Sequence, residues 1–183
     1  MLSNFFFSPE LLATLSAPLF LTLKVSLVSA LGFCFLGVPL AYWCARRESV
    51  LSKAVLFLAT LPLIFPPIAL GYLLMLLLGQ QGFFGSWAMR VFDMRLLFSE
   101  GSVFLAGTIA GMPLVVRPIK EVLSSARLLA LEEAASVLGV EGVKRFRLIT
   151  LPLIKNTLLA SIMMGVARAS GEVGVTLMLG GNI

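Results

Sequence analysis

Long uncharged runs constrain this chain more than any other feature. Between Lys24 and Arg46 lie 21 residues without a charge, and a second uncharged stretch runs from Ala54 to Ala88. A helix needs about 20 apolar residues to cross a bilayer core. Composition points the same way: 59% of the 183 residues are apolar and 13% are charged, whereas soluble domains are roughly half apolar and a quarter charged. A water-soluble enzyme is excluded on that ground, as are a disordered chain and a disulfide-stapled secreted domain. The expected fold class is all-α, a polytopic integral membrane helix bundle.

Four spans are predicted, at about residues 17–45, 54–78, 102–118 and 148–170, within a single domain covering 1–183. The second holds Pro62, Pro66 and Pro67, which remove three N–H donors and must bend or break a helix there. Gly79-Gln80-Gln81-Gly82 reads as a turn leaving the membrane. The mixed residues 83–100 suit an interfacial loop or a short amphipathic helix. From Arg117 to Arg147 ten of 31 residues are charged, so this stretch is a solvated, largely helical insert and not a span.

Lys and Arg exceed Asp and Glu by five. These positives cluster between apolar runs, three in residues 46–53 and six in 117–147. They read as cytoplasmic loops under the positive-inside rule and not as a nucleic-acid surface. The N-terminus then lies outside. The chain has no His, and its two cysteines, Cys34 and Cys44, share one apolar segment about 15 Å apart on a helix, too far to pair there. No metal-site pattern and no phosphate-cradling Gly-rich loop with Lys-Ser or Lys-Thr is present.

The charged insert carries the most information. Leu131, Ala134, Ala135 and Leu138 fall at i, i+3, i+4 and i+7, one apolar stripe of a helix, with Glu132, Glu133 and Ser136 facing elsewhere. Gly139 follows where a glycine ends a helix. Small residues on such a stripe suit docking into a groove of a partner protein. Packing on the chain's own bundle or on lipid headgroups is the alternative.

Glu133-Ala134-Ala135, three residues, Gly139, nine residues, then Ile149, one residue and Leu151-Pro152 resembles the EAA loop of ABC-transporter permeases. Leu63-Ile64-Phe65-Pro66-Pro67-Ile68-Ala69-Leu70-Gly71-Tyr72, with Gly79 to Gly85, is similar to the second-span region of molybdate permeases. Ala167 to Thr176 and the Gly181-Asn182-Ile183 ending resemble permeases for molybdate, tungstate and sulfate, with Val173 in place of the usual aromatic. The resemblance implies a type I ABC importer permease fold in the bacterial cytoplasmic (inner) membrane. It implies a transport subunit for molybdate or a related oxyanion, without a catalytic site or cofactor of its own. ATP and Mg would bind to two copies of an ATP-binding cassette subunit, seated on the 119–147 loop through Glu133, Ala134, Ala135 and Gly139. A second permease copy would complete the pathway, an extracytoplasmic binding protein would deliver the anion, and lipid would surround the spans. In the alternative role for Glu133, its charge caps and orients the helix locally.

Two pairs are candidates for the translocation pathway. Arg168 and Glu172 are i, i+4 and share a helix face. Ionisable groups deep in a span face a bundle interior or a wet path; the alternative is a pair at the outer interface. Pro66 and Pro67 free backbone carbonyls and mark either a gate or a fixed kink. The family normally continues beyond the Gly-Asn-Ile reached here, so the sequence is expected to be a fragment or a shortened product. The rival to a transporter is accordingly a membrane scaffold that docks an ATPase but forms no complete pathway.

Overall fold

The computed structural model describes residues 9–93, 97 and 99–172. Every regular element among them is helical. The first long helix is α1 (Pro9–Gly32), a π-helical turn (Phe33–Gly37) and α2 (Val38–Arg46) in one run. The cause of the wide turn is local. Pro39 cannot donate a hydrogen bond, and its ring crowds the carbonyl four residues back. The Val38 N–H reaches five residues back to the Phe33 carbonyl instead of four. The same solution recurs near the last helix. There the π turn Phe146–Thr150 precedes Leu151-Pro152, and the Leu151 N–H again reaches five residues back, to Phe146. A π turn inside an α-helix makes room for an inserted irregularity without ending the helix.

Residues 54–78 do not form one straight span. They divide into α3 (Val50–Thr60), a 3-10 turn (Leu61–Leu63) and α4 (Pro67–Leu78). Pro66 sits between them with φ −57° and ψ 146°, because a residue followed by proline is pushed out of the helical region. Each piece rises about 16–18 Å, well short of the bilayer core of about 30 Å. Three helices among the described residues are long and apolar enough to cross a membrane: Leu19–Arg46, Gly101–Leu123 and Gly142–Ser170. The short helix α5 (Phe83–Phe92) occupies the stretch expected to lie at the interface.

The second of these long helices, α6 (Glu100–Leu123), is the axis of the bundle: 56% of its apolar window is buried, against 17% and 22% in the other two. It continues past 118, carrying Arg117, Lys120 and Glu121 on its last turns. After it come α7 (Ala126–Val137), α8 (Gly142–Arg145) and, beyond the second π turn, α9 (Leu151–Ser170). The main core joins Val115, Val116, Ile119 and Leu123 of α6 to Phe33, Ala41, Leu128, Ile154 and Ala169. A second cluster packs Leu70, Leu74 and Leu78 of α4 on Ala106 and Ala110 of α6.

The α6–α9 seam is closed by small residues. A Cβ added at Gly111 would lie 2.5 Å from both the Gly165 carbonyl oxygen and the Phe33 ring, and one at Gly165 would lie 2.6 Å from Val115. Phe33, fully buried, fills the niche these glycines open. Between lipid-embedded helices, close backbone approach of this kind supplies the van der Waals contact that holds them together. Outside, Leu19, Phe20, Leu23, Leu27, Phe35 and Leu36 stand exposed along the first helix. That surface would be a liability in water and is ordinary in lipid.

Candidate functional site

Helix α7 starts at Ser125, whose hydroxyl accepts from the Leu128 N–H at 3.4 Å. It ends in a Schellman arrangement: the Val140 N–H reaches the Ala135 carbonyl at 2.9 Å and the Gly139 N–H reaches Ser136 at 3.0 Å. Gly139 has φ +75°, a conformation that costs little only for glycine. The helix cap is therefore Ser125, and the Glu133 side chain stands exposed, with no hydrogen bond or ion pair among the described residues.

The faces of α7 differ from the expected stripe. Leu128, Glu132 and Ala135 point inward, whereas Leu131, Ala134 and Leu138 point outward with Glu133 and Val137. Of the four stripe residues only Ala135 is buried. Glu132, read as facing away from the stripe, is 5% exposed. The reason is a pair of distant partners. Arg46 Nη2 donates to Glu132 Oε1 at 2.6 Å, and Thr150 Oγ1 donates to the same oxygen at 2.5 Å. A buried carboxylate is tolerated when it is paired and hydrogen-bonded. The partners lie 86 and 18 residues away in sequence, so no local pattern reveals them. The only local hint is a second i, i+4, i+7 series, Leu128–Glu132–Ala135, whose central charge argues against it.

Around this carboxylate three elements meet. Arg46 ends α2, Glu132 lies mid-α7 and Thr150 closes the second π turn. The Tyr42 ring meets Phe146 edge-on at 6.0 Å, and the Arg46 guanidinium lies over Tyr42 at 5.2 Å. A groove of about 540 Å³ opens beside them, lined in part by Val38, Tyr42, Glu132, Val143 and Arg145. The positively charged 46–53 and 117–147 segments are thus side by side at one end of the bundle. Ile149 packs against the main core, while Leu151 and Pro152 are exposed at the start of α9.

The pathway candidates lie elsewhere. Arg168 Nη2 and Glu172 Oε2 form an ion pair at 2.9 Å beyond the last turn of α9, with the Arg side chain 34% exposed and the Glu side chain 1%. Pro66 and Pro67 are exposed at the α3–α4 break, and α4 reaches α6 through the second core cluster. The residues 173–183 that share the oxyanion-permease resemblance lie outside the described residues. Among the described residues no group of three His, Cys, Asp or Glu side chains gathers into a metal site, and both cysteines are free thiols.

The family model "Binding-protein-dependent transport system inner membrane component" matches residues 37–183. The chain is 34% identical over 163 residues to the molybdenum transport system permease protein ModB of Haemophilus influenzae, covering 89% of this chain and 71% of that one. It is 35% identical over 164 residues to the protein of the same name from Escherichia coli, with coverage of 89% and 71%. A sulfate transport system permease protein, CysW of Synechococcus elongatus, is 31% identical over 163 residues, with coverage of 89% and 56%. The match takes in the whole of α7, the π turn after it and the helix that follows. On this breadth of agreement, the chain belongs to the family of binding-protein-dependent transport system inner membrane components and is a multi-pass ABC permease of the inner membrane.

Proposed function

We propose that this chain is the membrane-spanning permease subunit of an ATP-driven importer for molybdate or a related oxyanion such as tungstate or sulfate. The names of its relatives support the substrate class, with molybdenum permeases at 34% and 35% identity and a sulfate permease at 31%. The observation that carries the reading is the outward face of α7. Leu131, Glu133, Ala134, Val137 and Leu138 stand exposed on a capped helix at the positively charged end of the bundle. An exposed helix face with apolar anchors at i, i+3 and i+7 spacing is suited to a groove in a partner. That partner is an ATP-binding subunit, which holds ATP and Mg and performs the hydrolysis. Two such subunits serve a pair of permease chains, and an external binding protein supplies the anion.

Arg168 and Glu172 belong to the anion path in this reading. A tetrahedral oxyanion offers the guanidinium a partner of the same kind as Glu172, since charge-assisted forks suit both. The nearby carboxylate keeps the site from holding the anion too firmly. Pro66 and Pro67 mark a break that lets the α3–α4 segment change shape beside α6.

The test is reconstitution of the full chain with its ATP-binding subunit and binding protein in vesicles. Molybdate-stimulated ATP hydrolysis accompanied by uptake into the vesicles is the expected result. Tungstate and sulfate should compete in proportion to their fit. Hydrolysis without anion movement would overturn the reading in favour of a docking scaffold.

A further inference from the structure

We propose that Glu132 is a positioning residue that ties the docking helix α7 to the inner ends of the first and last long helices. A displacement applied to α7 by an attached subunit then moves both long helices together. The inference rests on reading α7 as the docking element, and it adds how motion leaves that element.

The covalent route out of α7 is poorly suited to the task. Between α7 and α8 the chain passes through Gly139 at φ +75° and Gly142 at φ +57°, and at neither position is there an atom within 4 Å of where a Cβ would stand. A segment with so little packing around it transmits force weakly. Apolar contacts from Leu128 and Ala135 hold α7 against the bundle, but such contacts are non-directional and permit rolling. The carboxylate differs because it is directional. A single oxygen accepts from Arg46 at 2.6 Å and from Thr150 at 2.5 Å, so α2, α7 and the turn leading into α9 are fixed at one point. The Arg46 guanidinium is itself braced over Tyr42, whose ring abuts Phe146 of the same turn. Buried polar groups serve registry in this way in other helical assemblies.

The experiment uses the reconstituted complex and measures molybdate moved per ATP hydrolysed. Glu132→Gln keeps the shape and removes the charge. The expected result is a complex that assembles and hydrolyses ATP while the transport ratio falls by roughly fivefold or more. Exchanging the charges, Arg46→Glu with Glu132→Arg, should recover part of the ratio, as each single exchange should not. If Glu132→Gln does not accumulate in the membrane, Thr150→Val removes one bond and leaves the ion pair, and its ratio should fall by a smaller factor. A wild-type ratio in the assembled Glu132→Gln complex, or in Thr150→Val where that variant stands in, overturns the proposal. Failure of the wild-type chain to bind the ATP-binding subunit overturns the docking reading itself, which is a different result from a coupled wild type beside a coupled variant.

Discussion

The last long helix has an arginine–glutamate pair near each end, and the two pairs are built differently. Arg168 and Glu172 are four residues apart and meet where the chain turns just past the end of α9. Arg46 and Glu132 are 86 residues apart and meet only because three elements pack around one carboxylate. The first pair is a property of a segment. The second is a property of the fold, since any change that moves α2 relative to α7 breaks it. In the local pair the Arg168 side chain is 34% exposed, so losing Glu172 lets it turn toward water or lipid headgroups. Removing a partner from the distant pair leaves a charge held in place by the surrounding bundle.

The widest gap between the two pairs should come from deleting each arginine. Arg46→Met leaves Glu132, 5% exposed, to Thr150 alone among the described residues, and should destabilise the chain in detergent by about 3 kcal/mol. That value is at the low end for a broken buried pair because Arg46 keeps a 25% exposed side chain. Thermal unfolding followed by helical circular dichroism measures it. Arg168→Met should cost less, about 1–2 kcal/mol, because the Arg168 side chain is 34% exposed and solvent screens the pair. Its effect should appear instead in transport, with molybdate uptake reduced and assembly intact. Wild-type uptake would remove Arg168 from the pathway. Equal destabilisation by both deletions would erase the distinction between local and distant pairs.

Smaller changes sharpen the same comparison. Thr150→Val removes the second bond to Glu132 Oε1 and should cost about 1 kcal/mol, as for one internal hydrogen bond. Glu133→Gln, one residue along but on the outward face, should change unfolding by less than about 0.5 kcal/mol. Its consequence should be weaker retention of the ATP-binding subunit, measured by pull-down from membranes. A large stability loss at Glu133 would mean that the two faces of α7 have been assigned the wrong way round.

Much of this was legible along the chain. Apolar runs announced a membrane helix bundle, Pro62, Pro66 and Pro67 announced where a helix would bend or break, and Gly139 announced the end of α7. The i, i+4 spacing of Arg168 and Glu172 announced their pairing. Other features were not legible. The stripe Leu131–Ala134–Ala135–Leu138 reads as a docking face and all but Ala135 stand exposed, but the inward turn of Glu132 was not legible, because hydrophobic periodicity cannot weigh a charge that finds a partner elsewhere. The prolines within 54–78 could bend a span or divide it, and the structure divides it. Helix α6 runs through Arg117, Lys120 and Glu121 because only its inner face needs to be apolar there, and charge density alone placed the boundary too early.

The sequence by itself determined what depends on neighbours a few residues away. Helix ends, proline turns and span-length apolar runs follow from backbone hydrogen bonding and from the cost of placing charge in lipid. Only the tertiary structure decided which face of α7 is buried and that Glu132 joins Arg46 to Thr150. Those outcomes depend on where α2 and the turn before α9 arrive in space, and the cost of burying a carboxylate is offset only where those partners are present.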